Sequence, residues 1–331
     1  MSCVLITGAA GFIGSSVAKA LLAEEGRSEK QQVVGVDNLN SYYPVKLKQD
    51  RLSQLMGHSG YSFELLDISD DAAFKSVLQK YRPEIVLHLA AQVGVRYSIE
   101  NPFAYARSNL LGHLSVLEAC RHGTPQPRLI YASSSSVYGA NAKIPFSEAD
   151  RVDHPVSLYA ATKRADELMS DAYAHLYGLQ QIGLRFFTVY GPWGRPDMAY
   201  WIFTEKIMGN KPIQVFNKGD QERDFTYIDD VVDGILRCLS TPPHFTGTRP
   251  HRIYNIGNNR PVPIMRFIDI LEDAIGIRAI RELKPTAQGD VPRTFADIDQ
   301  ISVDYGFRPS TTLEVGLPKF VDWYRRYMTC A

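Results

Sequence analysis

A glycine-rich segment near the start of the chain, TGAAGFIG, places the strongest constraint on the fold. Gly8, Gly11 and Gly14 follow the short apolar run CVLIT and open an amphipathic stretch. Glycines at this spacing let backbone amides approach a pyrophosphate and let a helix pack closely on a strand. A tight strand-to-helix turn without a ligand would use the same residues. The position directly after the first strand, with an acid at the end of the second, favours a dinucleotide.

Short β-branched runs alternate with longer amphipathic stretches from residue 3 to about residue 187. This alternation predicts parallel βαβ units and an α/β fold with a doubly wound, Rossmann-type sheet. The predicted strands are CVLITG, QVVGVDN, SFELLD, EIVLHLA, RLIYASS and QIGLRFF. Helices are predicted in GSSVAKALLAEEG, DAAFKSVLQKYRP and NLLGHLSVLEACRHG.

The composition of the sequence changes after about residue 188, where VYGPWGRPDM is rich in Gly and Pro. We predict an NAD-binding domain over 1–187, rejoined by about 224–258. A smaller, mostly helical substrate-binding domain is predicted over 188–331. Because the two parts are interleaved, we do not expect the C-terminal part to be an independent module.

Charge and composition argue against several classes of function. The chain has 36 Lys and Arg against 36 Asp and Glu, which predicts no nucleic-acid or membrane surface. No apolar stretch reaches the ~18 residues of a membrane span, and the first residues lack a signal-peptide pattern. Neither the cysteines nor the histidines show metal-ligand spacing. Reduced thiols in a cytoplasmic protein are expected for the scattered Cys3, Cys120, Cys238 and Cys330.

Asp37 ends the predicted second strand, 23 residues beyond Gly14. A carboxylate at this place accepts hydrogen bonds from both ribose hydroxyls of NAD and repels a 2′-phosphate. Neither Arg nor Lys occurs between residues 38 and 45 to neutralise such a phosphate. NAD is therefore favoured over NADP, with an ordinary turn aspartate as the alternative.

The segment YAATK places Tyr159 and Lys163 four residues apart, on one helix face. A lysine ammonium beside a phenol favours the phenolate, which then acts as a base near neutral pH. An exposed helix face would explain the pattern equally well in isolation. The run of four serines, which ends a predicted strand about 25 residues upstream, adds weight to the catalytic interpretation.

The motifs TGAAGFIG, HLAAQ, SSSSVYG and YAATK, in this order and spacing, resemble the extended short-chain dehydrogenase/reductase family along nearly the whole chain. The segments most similar to UDP-glucuronate 4-epimerases of that family are AAQVGVRYSIENPFAY, FFTVYGPWGRPDM, ERDFTYIDD and GDVPRTFAD. The resemblance implies tightly bound NAD and reversible 4-epimerisation of UDP-glucuronate to UDP-galacturonate through a transient 4-keto sugar.

The resemblance also implies a catalytic set of Ser134, Tyr159 and Lys163. Tyr159 would take the proton of the sugar 4-hydroxyl with the assistance of Ser134, and Ser135 could share that hydrogen bond. Dehydratases of the family carry an Asp-Glu pair, and UDP-glucuronate decarboxylases a Glu, where this sequence has Ser135 and Ser136. Acid–base groups for elimination or decarboxylation are therefore missing. Ser133 and Ser136 are expected to serve packing and backbone hydrogen bonding.

Substrate contacts follow from the same resemblance. Arg195 is the candidate for the sugar carboxylate, because a planar guanidinium grips a carboxylate bidentately. Thr188 would contact the same region and Arg96 would line its entrance. The remaining implied contacts are Ser134, Ser135, Gln214, Phe216 on uracil, and Arg223 and Arg293 on the diphosphate. A surface arginine is the alternative for Arg96, Arg223 and Arg293.

The residues expected to contact NAD include two that could instead be structural, Asp67 and Asn109. The full set is Gly8, Gly11, Phe12, Ile13, Gly14, Asp37, Asn38, Asp67, Ile68, Leu89, Ala90, Ala91, Asn109, Tyr159, Lys163 and Phe186.

Three other functions remain open at this point. A UDP-glucuronate decarboxylase would share the substrate and the first step, but the absent Glu argues against it. A UDP-hexose 4-epimerase would need no group that reads a carboxylate. A non-catalytic NAD-binding sensor would be favoured by damage to Tyr159 or Lys163, and both are intact.

The helices predicted around 102–122 and 158–177 carry apolar residues on more than one face. One face can cover the sheet, and the other could pair with a second subunit in a four-helix interface. The sequence therefore predicts a homodimer, with a monomer as the alternative. The apolar residues concerned are Leu110, Leu114, Leu117, Leu168 and Tyr173.

Overall fold

A parallel sheet of seven strands forms the centre of the protein, seen here in a computed structural model that describes residues 3–23, 32–242, 245, 249–286 and 291–330. The strands are β1 (Cys3–Thr7), β2 (Gln32–Asp37), β3 (Tyr61–Leu65), β4 (Ile85–His88), β5 (Arg128–Ser134), β6 (Gln181–Phe186), β7 (Thr188–Tyr190), β8 (Ile213–Val215), β9 (Glu222–Tyr227), β10 (His251–Ile256), β11 (Pro261–Pro263) and β12 (Arg281–Leu283). The central order is β3-β2-β1-β4-β5-β6-β10. This order confirms the predicted Rossmann-type fold, and β1 to β6 match the six predicted strands.

Helices cover the sheet and fill most of the C-terminal part. They are α1 (Phe12–Ala23), α2 (Val45–Ser53), α3 (Asp71–Tyr81), α4 (Tyr97–Glu100), α5 (Pro102–Tyr105), α6 (Gly112–Arg121), α7 (Leu158–Tyr177), α8 (Ala199–Met208), α9 (Ile228–Ser240), α10 (Ile264–Ile275), α11 (Asp299–Tyr305) and α12 (Leu313–Cys330). The ends of α7 show why these segments are helical. Ser157 accepts a hydrogen bond from the Ala160 amide at 3.1 Å, and Gly178 closes the helix with a left-handed φ of 65°.

The third predicted helix, NLLGHLSVLEACRHG, differs from the structure. Its first residues belong to a π-helical turn over Ala106–Leu111, and α6 ends at Arg121 rather than at the glycine. The wider turn carries Asn109, whose side chain is buried and bonded to the backbone of Gln92. Two predicted segments run beyond the described residues, at 24–26 of the first helix and at 289–290 of GDVPRTFAD.

Two small sheets lie in the C-terminal part. One has the order β11-β9-β7 and the other pairs β12 with β8. Between β9 and β11, the chain returns to the central sheet, where β10 pairs in parallel with β6.

The core has two layers, one on each face of the central sheet. Along β1, Val4 and Ile6 belong to the cluster that continues into the C-terminal part, while Cys3 and Leu5 belong to the cluster on the opposite face. Cys3, Cys120 and Cys238 are buried free thiols, and the side chain of Cys330 lies outside the description. Across the described ranges, none of the helices combines the length and apolarity of a membrane span.

Arg51 on α2 connects the glycine-rich loop to the segment that follows β7. Its side chain is buried and donates to the carbonyl oxygens of Trp193 (2.7 and 3.0 Å), Gly194 (2.8 Å) and Ala10 (3.1 Å). Tyr43 supplies a further acceptor, its hydroxyl, at 2.8 Å. The two segments that face each other across the carboxyl edge of the sheet are therefore held at a fixed separation.

Candidate active site

A cavity of about 460 Å³ lies at the carboxyl ends of β1, β2, β4, β5 and β6. This edge of an open α/β sheet is where ligands bind, and the volume is that of a small-molecule site. Many of the residues predicted from sequence meet there. They are Gly8, Gly11, Phe12, Ile13, Gly14, Asp37, Asn38, Ile68, Leu89, Ala90, Ala91, Ser134, Ser135, Tyr159, Lys163, Phe186, Thr188 and Arg195.

The glycine-rich loop forms a cradle at one end of the cavity. Gly8 has a φ of +71°, and a Cβ there would lie 2.8 Å from the Ala90 amide nitrogen. A Cβ on Gly14 would lie 2.2 Å from the Gly8 carbonyl oxygen, so helix α1 approaches the loop as closely as backbone allows. The first turn of α1 faces the cavity, and its unpaired amides suit a pyrophosphate. These contacts fit a dinucleotide.

Asp37 fixes the loop and keeps acceptor capacity for a ligand. One carboxylate oxygen accepts from the Ala10 amide (3.1 Å) and the other from the Leu39 amide (2.9 Å). Each oxygen retains a second lone pair, which suits two ribose hydroxyls. Lys48 also lines the cavity, just beyond the segment 38–45 that lacks Arg and Lys. Burial lowers the pKa of Lys48 against the opposing effect of Asp37, and its ammonium donates to the Asn40 carbonyl oxygen at 2.7 Å.

The four serines have different partners. Ser133 donates to the Glu167 carboxylate at 2.6 Å, so its role is the structural one predicted, through a side chain rather than the backbone. Ser134 accepts from the Ser136 amide at 3.1 Å, which leaves its hydroxyl proton for a ligand. The cavity wall also includes Ser135, and it includes Ser133 and Ser136, for which only packing and backbone hydrogen bonding were predicted.

Tyr159 and Lys163 lie on the first two turns of α7 and both line the cavity. Lys163 is 2% exposed, and its ammonium donates to the Ala132 carbonyl oxygen and to Asp166, each at 3.0 Å. Burial raises the pKa of Asp166 to about 6, against the opposing charge of Lys163. Asp166 is a counter-ion that the sequence analysis missed, although its i+3 spacing from Lys163 is a usable signal.

Tyr105, on α5, supports the same region from the other side. Its ring lies edge-on to that of Tyr159, with centroids 6.1 Å apart. Its hydroxyl contacts the carbonyl oxygens of Val93 (2.7 Å) and Gly94 (2.5 Å), in a segment that lines the cavity. Because burial raises the pKa of Tyr105, the phenol stays neutral and can donate. Tyr105 is the last residue of AAQVGVRYSIENPFAY, a segment noted from sequence, yet it was given no role there.

Arg195 and Thr188 reach the cavity from the polypeptide that leaves β6. Thr188 begins β7, and Arg195 follows in the GPWGRPDM segment. The Arg195 guanidinium forms two hydrogen bonds to Asp197, at 3.0 and 2.5 Å. Burial alone would lower the pKa of Arg195, but the Asp197 charge outweighs this effect and holds the pKa above its ordinary value. Asp197 lies inside a motif noted from sequence, yet it was given no role there.

Asp67 and Asn109 do not line the cavity, and each holds a residue that does. Asp67 accepts from the Asn38 side-chain amide at 3.1 Å. The side-chain oxygen of Asn109 accepts from the Gln92 backbone amide at 2.7 Å. The side-chain nitrogen of Asn109 donates to the Gln92 carbonyl oxygen and to the Thr162 hydroxyl. Asp67 therefore supports Asn38, an expected cofactor contact, and Asn109 supports Gln92, which follows the expected contact Ala91.

The residues predicted for the uridine diphosphate lie outside the cavity wall, and so does Arg96, which was predicted to line the entrance to the carboxylate region. The Arg96 guanidinium lies 4.4 Å from the ring centroid of Phe216. Arg223 donates to the Pro292 carbonyl oxygen at 3.1 Å, and Arg293 lies 3.4 Å from the Glu222 carboxylate. Arg96 and Phe216 thus form one pair, and Arg223 and Arg293 form another around residues 222 and 292. The last predicted residue, Gln214, is exposed on β8.

Comparison with known proteins gives consistent matches. The profile of the NAD-dependent epimerase/dehydratase family matches residues 4–257. A probable UDP-glucuronate 4-epimerase of Rhizobium meliloti (strain 1021) is 46% identical, covering 97% of this chain and 96% of that protein. UDP-glucuronate 4-epimerase 2 of Arabidopsis thaliana is 47% identical, covering 98% and 76% respectively. The crystal structure of a UDP-glucuronic acid 4-epimerase from Bacillus cereus, in complex with UDP-glucuronic acid and NAD, has a TM-score of 0.90 and 34% identity, covering 98% of this chain and 99% of that one.

The Asp37 carboxylate should make the cavity prefer NAD over NADP, since a 2′-phosphate would meet its negative charge. Asp37→Asn removes that charge and weakens the hydrogen bonds to the ribose. We expect the affinity for NADP relative to NAD to rise by roughly tenfold or more in equilibrium dialysis. Asp233→Asn, at an exposed position, is the matched control. Equal retention of NAD and NADP by the unmodified protein would contradict this assignment.

Proposed function

Because the chain belongs to the NAD-dependent epimerase/dehydratase family, we propose that it interconverts UDP-glucuronate and UDP-galacturonate by epimerisation at C4. The make-up of the cavity wall carries this proposal. It combines a tyrosine–lysine pair, a hydroxyl and a guanidinium with one carboxylate among its described residues, Asp37 at the end of β2. The absence of an acid from the serine run disfavours the decarboxylase and dehydratase chemistries, and Arg195 disfavours a neutral hexose as the preferred substrate.

The residues that would hold the cofactor are Gly8, Gly11 and Asp37 on the adenosine side and Lys163 beside the nicotinamide. Bound NAD supplies the acceptor that takes a hydride from C4 of the sugar and returns it to the opposite face. Tyr159 takes the proton of the 4-hydroxyl and later gives it back. Ser134 donates its hydroxyl proton to the same sugar oxygen, and the buried Lys163 ammonium lies one helical turn from Tyr159.

The 4-keto sugar is a β-keto acid and is prone to lose its carboxylate. In that side reaction the C5–C6 bond breaks, its electron pair moves into the C4 carbonyl system, CO2 leaves and a proton adds at C5. The two electrons taken from C4 then remain on the reduced cofactor. Bond cleavage needs the C5–C6 bond to align with the carbonyl π system. Arg195 and Thr188 suppress it by holding the carboxylate away from that alignment.

The outer end of the substrate site is assigned to the group that lies beyond the cavity wall. Arg223 contacts the Pro292 carbonyl oxygen, and Arg293 contacts the Glu222 carboxylate. Two guanidinium groups placed in this way suit the role of donors to one diphosphate. Phe216 carries Arg96 on one face of its ring, and the other face suits uracil. Gln214 is assigned to the same end.

The division of the chain follows from these assignments. Residues 1–187, with 224–258, hold the cofactor, and 188–331 contribute most of the substrate contacts. Support comes from β10, which lies in the central sheet, and from Thr188 and Arg195, which lie outside it. A cytoplasmic location is supported by the free, buried thiols of Cys3, Cys120 and Cys238.

A homodimer is supported by the apolar residues on the outer faces of the helices from α4 to α7. Leu117 is buried against the sheet, whereas Leu114 and Leu168 are 36% and 55% exposed. The other large exposed members of this surface are Ile99, Phe103, Leu111, Leu176 and Tyr177. An apolar surface of this extent suits a second copy of the chain.

Tyr159→Phe should lower kcat by roughly 100-fold or more, because only the proton acceptor is lost. The fold and NAD retention should stay nearly unchanged. The measurement is the formation of UDP-galacturonate from UDP-glucuronate, followed by NMR. Tyr81→Phe, which removes a hydroxyl bonded to Glu64 outside the cavity wall, is the control. A variant that keeps more than about a tenth of the wild-type kcat would show that Tyr159 is not the base.

Arg195→Ala should cost about 2–5 kcal/mol in binding or transition-state stabilisation, since a charge-assisted contact is truncated. The discriminating result is chemical. The ratio of CO2 and 4-keto pentose to epimerised product should rise, and activity on UDP-glucose should fall less than activity on UDP-glucuronate. Arg237→Ala removes an exposed arginine of α9 that pairs with Asp233, and it serves as control. Equal losses on both substrates with an unchanged product ratio would transfer the role to Arg96.

Light scattering at micromolar concentration should give about twice the 37.2 kDa mass of one chain. Leu168→Lys places a charge on the proposed interface and should shift the mass towards that of one chain. Val303→Lys, at a still more exposed position on α11, should leave the mass unchanged. A mass near 37 kDa for the unmodified protein would rule the dimer out.

A further inference from the structure

Asp197 occupies one edge of the Arg195 guanidinium. Arg195 uses Nε and one Nη nitrogen, Nη2, for the two hydrogen bonds, at 3.0 and 2.5 Å. A guanidinium offers a second bidentate edge, formed by its two Nη nitrogens. No other side chain in the described part of the chain takes a hydrogen bond from that edge. The ion pair therefore leaves Arg195 able to bind one planar carboxylate.

Tyr42 holds Asp197 from the far side of the cavity. Its hydroxyl donates to the Asp197 carboxylate at 3.0 Å, on the oxygen that also meets Nη2. The Tyr42 ring packs on Tyr97 with centroids 4.7 Å apart, and a Cβ on Gly94 would lie 2.5 Å from its hydroxyl oxygen. The Asp197 carboxylate thus joins the segment of Arg195 to that of Tyr42, and a third segment, with Tyr97 and Gly94, packs on Tyr42 and leaves its ring little freedom to move.

The pair of Arg195 and Asp197 is close to electrically neutral as a unit. Burial alone would raise the pKa of Asp197, but the Arg195 charge and the Tyr42 hydroxyl hold it below its ordinary value. Asp197 is therefore ionised near neutral pH. A substrate carboxylate that reaches Arg195 meets a compensated cation, so simple charge attraction is weak and the direction of the hydrogen bonds decides the fit.

We propose that Asp197, held by Tyr42, is a positioning residue that fixes the plane of the Arg195 guanidinium and thereby the plane of the substrate carboxylate. This inference rests on the proposed function, since it concerns how a uronate is held there. Asp197 weakens ground-state attraction for the uronate but imposes the orientation in which the 4-keto sugar keeps its carboxylate. Without it, Arg195 binds a carboxylate more strongly and orients it less well.

The experiment uses Asp197→Asn, which keeps the shape of the side chain and removes its charge. Tyr42→Phe keeps the ring packing and removes one hydrogen bond. The matched controls are Asp233→Asn, from an exposed pair with Arg237, and Tyr81→Phe. Calorimetry gives the dissociation constants of UDP-glucuronate and UDP-glucose, while NMR and CO2 release give the products. Retained NAD and an unchanged melting profile show that each variant is folded.

Asp197→Asn should bind UDP-glucuronate more tightly, by roughly fivefold to twentyfold, because a nearby negative charge is gone. Its kcat on UDP-glucuronate should fall by roughly tenfold or more, because the reacting group is misplaced. The fraction of product that has lost CO2 should rise. Binding and turnover of UDP-glucose should stay within about twofold of wild type, the scatter of sites that do not interact. Tyr42→Phe should change the same quantities in the same directions, but less.

A double variant tests whether Asp197 acts through Arg195. In an Arg195→Met background, Asp197→Asn should still tighten UDP-glucuronate binding, because a negative charge is removed, but it should produce no further rise in CO2 release. Equal losses of activity on both UDP-sugars with an unchanged CO2 fraction would show that Asp197 is only structural. If the unmodified protein binds UDP-glucuronate but forms no UDP-galacturonate, the proposed function fails. The binding measurements then still decide on Asp197, because unchanged affinity in Asp197→Asn would overturn the inference.

Discussion

The buried guanidinium of Arg51 is the interaction on which the geometry of the cavity depends. It has carbonyl oxygens for partners, and these belong to the two segments that face each other across the cavity, Ala10 on one side and Trp193 and Gly194 on the other. A buried cation is tolerated only when its donors are satisfied, so loss of either segment would leave it uncompensated. Trp193 has a φ of 63°, which is unfavourable for a residue with a side chain, and these hydrogen bonds hold it there. The glycine-rich loop and the segment that carries Arg195 are thereby kept in register.

A second constraint is the distribution of charge along the cavity. The acids that approach the catalytic region are paired: Glu167 with Arg185, Asp166 with Lys163, and Asp197 with Arg195. Each pair places a carboxylate next to the reacting groups without offering a proton acceptor to the sugar. The serine run continues this pattern, because Ser133 donates a hydrogen bond to the Glu167 carboxylate and Ser134 keeps a proton to donate. A cavity with these partners suits hydride and proton exchange at one carbon and disfavours elimination.

The residues assigned near the reacting carbon and those assigned to the outer end of the substrate site differ in the rigidity of the elements that carry them. Tyr159, Lys163, Ser134 and Thr188 lie on or directly beside elements of the central sheet. Phe216, Arg223 and Arg293 lie on loops and short elements of the C-terminal part, where Arg293 is 54% exposed, and Arg96 lies in the loop directly before α4. Rigid elements thus position the chemistry, while the long nucleotide is met by more peripheral groups.

The sequence by itself determined the sheet, the cradle and the chemistry of the catalytic groups, because each depends on local spacing. Alternating β-branched runs and amphipathic stretches fix parallel βαβ units, the glycines fix the closest approach at β1, and i, i+4 spacing places Tyr159 above Lys163. The π-helical turn around Asn109 was not predicted, since it is stabilised by Gln92 from another segment. Only the tertiary structure decided which groups compensate the charges. Tyr42 and Asp197 are 155 positions apart, and Arg51 and Trp193 are 142 apart. Such partners are chosen by packing and by the need to satisfy buried polar atoms, and no pattern along the chain records that need.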